Sequence, residues 1–147
     1  MTPALPDMLM GQAMALSAPQ PPESAGDYMA GRIGMIAMLA VLAAQEAERG
    51  LAARTWENGA LIALFERAAP AYDAVLAGDL ARAAAEDRTD HGWGALDRAN
   101  ADLRRVLVRL HEAAEDRGDS SLDREILTLY QAMAKARHLD LPSALAG

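Results

Sequence analysis

The stretch from Ala30 to Gly50, AGRIGMIAMLAVLAAQEAERG, constrains this chain more than any other. Its uninterrupted apolar run, Ile33 to Ala44, is too short to cross a membrane. A spanning helix needs about 20 apolar residues for a hydrocarbon core of roughly 30 Å. Lengthening the run brings in Arg32 on one side and Gln45, Glu46, Glu48 and Arg49 on the other. An arginine at mid-membrane depth is costly. The run therefore reads as a helix of a soluble core.

Its faces agree with that reading. Ala30, Gly34, Ala37, Val41 and Ala44 form a seam of small side chains at four- and three-residue steps. Met29, Ile33, Ile36, Ala40 and Ala43 make a second stripe, and Met35, Met38, Leu39 and Leu42 a third. A helix that is apolar nearly all round is buried nearly all round. The expectation is a central helix over residues 25–49, capped by Gly50, with Gly34 in a close helix–helix contact. The methionines fill its core gaps.

Alanine has the best helix propensity, and it dominates the chain. Strand-forming β-branched and aromatic residues are sparse, aromatics amounting to 4%. The predicted fold is all-α: an antiparallel bundle of three to four long helices, one bent or split near Pro70, with an N-terminal arm. A length of 147 residues suits one domain. Residues 1–23 read as an arm and Pro-rich linker, and 24–147 as the bundle. In the arm, Leu5, Leu9, Gln12 and Leu16 suggest a short amphipathic helix. It lacks a basic start and Asp7 interrupts it, so it does not read as a secretory leader; the expected location is cytoplasmic.

A second helix is expected over 52–69, ended or kinked by Pro70. A short piece at 70–77 closes at Gly78, Asp79 caps a helix at 80–88, and 89–94 is a loop. Leu96, Leu103, Val106, Leu107 and Leu110 mark a helix over 95–117, stopped by Gly118. Ser120 or Ser121 caps the next helix, which carries Leu122, Ile126, Leu129, Tyr130 and Met133 to about Arg137. The two form an αα-hairpin. Leu139 and Leu141 pin the tail.

The net charge of −7 argues against nucleic acid and anionic membranes as partners, because both demand a concentrated basic face. With no cysteine there are no disulfides or thiolate chemistry. No phosphate-loop, dinucleotide or serine-nucleophile motif is present. His111 and Glu115 are one helical turn apart, and Glu112 lies between them. These three are the metal candidates, but zinc usually takes three protein ligands, and no HExxH or second acidic pair completes the set. No metal and no cofactor are predicted. The loop with Glu86, Asp87, Asp90, His91 and Trp93 reads as a polar connection. Arg32 snorkels to the bundle end, pairs with Glu57, Asp73 or Asp97, or clamps an anionic ligand. A small-molecule pocket, if the chain has one, is expected where Arg32, Trp56 and Asn58 converge.

Three functional readings follow. The first is a non-enzymatic helical interaction or assembly protein, a homodimer, which leaves apolar surface uncovered on the protomer. The second is a bundle that binds a small molecule at Arg32, Trp56 and Asn58. The third is a metal-dependent enzyme using Glu112 and Glu115, which requires carboxylates or histidines from different helices to meet.

Overall fold

A computed structural model describes residues 5–17, 27–86 and 90–141. They form five α-helices and no strand: α1 (Leu5–Ser17), α2 (Asp27–Ala68), α3 (Ala74–Ala85), α4 (Trp93–Asp116) and α5 (Ser120–Ala136). The all-α bundle predicted from composition is the fold observed. No helix among the described residues is long and apolar enough to cross a membrane. The chain divides into two compact units, one made of residues 1–50 and 138–147, the other of residues 51–137.

The expected break at Gly50 does not occur. One helix runs from Asp27 to Ala68, and Gly50 is buried inside it. A C-terminal glycine cap needs a left-handed backbone, and Gly118 is the only described residue with positive φ. A glycine inside a helix costs only about 1 kcal/mol against alanine. The flanking run of alanine, leucine, glutamate and arginine carries the helix through.

In the second unit, the end of α2 places Leu61, Leu64, Phe65 and Ala68 on one face, at steps of three, one and three. They pack with Leu76 and Leu80 of α3, Leu103, Leu107 and Leu110 of α4, and Ile126 and Met133 of α5. Each fully buried side chain of this size contributes roughly 1.5–3 kcal/mol. Pro70 lies in a 3₁₀ turn, Ala69–Ala71, that ends α2. Proline lacks the amide hydrogen the helix needs at that point. The chain restarts earlier than expected. Asp73, not Asp79, is the cap, its carboxylate accepting from the amides of Val75 and Leu76 at 2.9 Å. Gly78 lies within α3.

The α4–α5 hairpin forms as predicted, with one correction at its turn. Gly118, at φ +66°, reverses the chain, and the cap of α5 is Asp119 rather than a serine, accepting from the Leu122 amide at 3.1 Å. On α4, Leu96, Asn100, Leu103, Leu107, Leu110 and Ala114 recur at four- and three-residue steps, all buried.

The first unit is organised differently. On α1, Ala13 is buried and Pro6, Leu9 and Leu16 are half-buried, so Leu9 and Leu16 of the predicted stripe face inward, while Pro6 and Ala13 replace Leu5 and Gln12, which are exposed. On the first half of α2, Ala37, Ala44 and Gln45 are buried. Ala37 and Ala44 of the small seam face inward, yet a Cβ added at Gly34 would meet nothing within 4 Å among the described residues. Among the described residues, the close contact expected there is absent. The prediction of burial all round also fails, since Met29, Met35, Ile36 and Leu39 stand 47–60% exposed. The tail is held by a device that hydropathy does not report. Gln45 donates through Nε2 to the Asp140 carbonyl at 2.7 Å, and its Oε1 accepts from the Asp140 amide at 2.8 Å. Leu141, expected to pin the tail, is 63% exposed.

Candidate functional site

Two polar clusters stand out in the second unit. The first is buried. Glu57 has no exposed surface. Its Oε1 accepts from Arg137 Nε at 2.6 Å, and its Oε2 from Arg137 Nη2 at 2.5 Å and Asn100 Nδ2 at 3.0 Å. Asn100 Nδ2 also donates to Asn58 Oδ1 at 2.9 Å, while its Oδ1 accepts from Arg137 Nη2 at 2.7 Å. Asn58 donates to the Leu96 carbonyl at 3.3 Å. The forked guanidinium matches the carboxylate edge to edge, the strong form of this interaction. Both hydrogens of the Asn100 amide are used, as are both oxygens of Glu57. The network ties α2 and α4 to the C-terminal end of α5, and its groups satisfy one another. A complete buried network specifies one arrangement of helices.

Of the predicted ligand residues, Asn58 thus belongs to this network. Trp56 is 44% exposed on the same unit, and Arg32 is an exposed residue of the first unit. The carboxylates considered as partners for Arg32 each have a partner within the second unit. Glu57 holds Arg137, Asp73 caps α3, and Asp97 accepts from Arg54 Nε at 2.8 Å. That hydrogen bond holds the Asp97 carboxyl below its ordinary pKa. The Arg54 guanidinium also lies over the Trp93 ring, 4.5 Å from its centroid, a cation–π contact. Trp93 is the first residue of α4 rather than part of a loop; Asp90 accepts from the Gly92 amide just before it at 2.8 Å. His91 is exposed, and Asp87 lies outside the described residues.

The second cluster lies on the α4–α5 hairpin. His111 Nε2 is 2.8 Å from Asp123 Oδ1 and 3.8 Å from Glu115 Oε1. Each residue offers a ligand atom within 4.8 Å of the others. His111 stands against the Tyr130 ring, centroids 5.8 Å apart. Desolvation raises the Tyr130 pKa, with Arg104 opposing. Two of the three residues singled out in the sequence are therefore here, His111 and Glu115. Glu112 is not; it lines a groove on the α3 side with Asp73, Arg109 and Asp116. Asp123 takes its place.

A second groove between α3 and α4, of about 260 Å³, is lined by Asp79, Arg82, Asp102 and Arg109 among others. Asp79 pairs there with Arg82 and Arg109, and Asp102 with Arg105.

Sequence reasoning missed Asn100, Arg137 and Asp123 as site residues. A signal for Asn100 exists, as a polar residue at a core position among the leucines of α4. Asp123 was legible too: it follows Gly118 by five residues as His111 precedes it by seven, which places both at neighbouring levels of an antiparallel hairpin. Nothing in the local sequence marks Arg137. Comparison with known protein families, with characterised proteins and with solved structures gave no match.

Proposed function

We propose that this chain is a non-enzymatic helical assembly protein that pairs with a second copy through the first half of α2. One observation carries the reading. Met29, Arg32, Ile36, Leu39 and Ala43 are all exposed, and they follow one another at steps of three, four, three and four. That spacing is the seam by which one helix packs along another. Four of its five members are apolar. Met35 widens the stripe, and Leu5, Met8 and Met14 of α1 add 55–71% exposed apolar side chains to the same unit.

Methionine-rich surfaces are adaptable and suit association. Closed two-fold pairs are the commonest assemblies of soluble chains, and a pair places the same seam on both partners. The net charge of −7 opposes pairing, but repulsion is screened beyond roughly 8 Å at physiological salt. The completed polar network of the second unit supports a structural rather than a catalytic role for its buried charges.

The test is light scattering after size exclusion, on the full chain and on the variant Ile36→Glu/Leu39→Glu. The full chain is expected at twice its 15.6 kDa mass, and the variant at that mass with unchanged helix content. A full chain that runs as a monomer at tens of micromolar refutes the proposal, as does a variant that remains paired.

A further inference from the structure

We propose that His111, Glu115 and Asp123 form a binding site for a divalent transition ion of the zinc class. The inference stands apart from the assembly reading. Two carboxylates converge on one imidazole nitrogen, and that nitrogen can donate one hydrogen only. Asp123 takes it, at 2.8 Å. Glu115, at 3.8 Å, is left beyond hydrogen-bond range. One imidazole nitrogen thus answers one of the two carboxylates facing it, and a cation at the centre would engage all three groups.

The ligand chemistry narrows the ion. Imidazole with carboxylates suits zinc and its neighbours, whereas magnesium and calcium prefer all-oxygen sets. Zinc bonds to nitrogen and oxygen at about 2.0–2.2 Å in a tetrahedron, which puts neighbouring ligand atoms about 3.3–3.5 Å apart. The two observed separations, 2.8 and 3.8 Å, bracket that value. Glu115 is 64% exposed and can swing inward, while His111 is only 19% exposed. The ligands come from two helices whose spacing is set by the Gly118 turn and the Asp119 cap, so the scaffold exists before the ion arrives. Three protein ligands leave a fourth position for water.

The experiment uses the untagged full chain, stripped with chelator, and titrated with zinc by calorimetry and with cobalt(II) by visible absorption. One ion per chain is expected, with a rise in melting temperature. Glu115→Gln, an exposed change that leaves the fold intact, and His111→Gln are each expected to weaken binding by about tenfold or more, a loss seen even for outer partners of bound metals. Glu112→Gln is expected to leave it unchanged. Absence of zinc uptake at one equivalent overturns the proposal. So does uptake that survives both Glu115→Gln and His111→Gln, which would place the ion elsewhere, for instance at His138 and Asp140, 3.5 Å apart.

Discussion

Removing Arg137 should damage this protein more than removing the glutamate it holds. Arg137 gives Glu57 two hydrogen bonds, at 2.6 and 2.5 Å. In Arg137→Ala the Glu57 carboxylate, which has no exposed surface in the intact protein, is left with the Asn100 amide as its remaining partner of this network. Breaking a buried pair in this way costs about 3–5 kcal/mol, a large share of the 5–15 kcal/mol typical of a whole domain. Glu57→Ala is milder. The Arg137 side chain is 30% exposed and keeps Asn100 Oδ1 as acceptor at 2.7 Å, so the expected loss is about 1.5–3 kcal/mol, that of hydrogen bonds to a charged group. Replacing both, as Glu57→Leu/Arg137→Leu, should cost less than Arg137→Ala, because no charge is left stranded. Urea unfolding followed by circular dichroism, at one fixed protein concentration, measures all three. A loss under about 1 kcal/mol for Arg137→Ala, against the cost expected of a stranded charge, refutes the reasoning. A larger loss for Glu57→Ala than for Arg137→Ala does so as well.

Three further outcomes are expected. Tyr72 carries the one buried side-chain polar atom without a partner among the described residues, so Tyr72→Phe should be neutral or stabilising by about 1–2 kcal/mol, since an unmade buried hydrogen bond is costly; a lower urea midpoint would contradict this. Gly118→Ala should destabilise by about 1–2 kcal/mol, because φ +66° is unfavourable for a residue with a Cβ; an unchanged midpoint would show that the turn relaxes. Hydrogen bonding from Arg54 lowers the Asp97 pKa in the folded state, so its contribution is present above the unfolded value of about 3.9 and is lost as pH falls through the folded value. The Asp97 side chain is 55% exposed, which screens the pair, so Asp97→Asn should cost under about 1 kcal/mol at pH 7, and that difference should vanish in acid titrations of stability.

The legible parts of this protein were those written in periodicity. The leucines of α4, the αα-hairpin, the end of α2 before Pro70 and the existence of α1 could all be read from spacing. Boundaries set by single residues were harder. Gly50 looks like a cap but is passed over, because helix formers on both sides outweigh one glycine. Asp73 and Asp79 are equivalent as caps in sequence, and Asp73, two residues past the Ala69–Ala71 turn, is the one that caps α3. The candidate sites were less legible, for a topological reason. Glu57 and Arg137 lie 80 residues apart, and no local pattern joins them. The His111–Asp123 pair was within reach, because a tight hairpin fixes which residues meet across it. Burial of α2 was misread on a different ground: an apolar circumference does not say which faces the rest of the chain covers, and Met29, Met35, Ile36 and Leu39 stand exposed.

The proposed pairing covers the exposed seam of α2 with a second copy of this chain. Native mass spectrometry of freshly purified, untagged protein tests it most directly. A dominant species at two chains of 15.6 kDa each is expected, reduced to single chains by Ile36→Glu/Leu39→Glu. A single-chain species for the unaltered protein at tens of micromolar would contradict it.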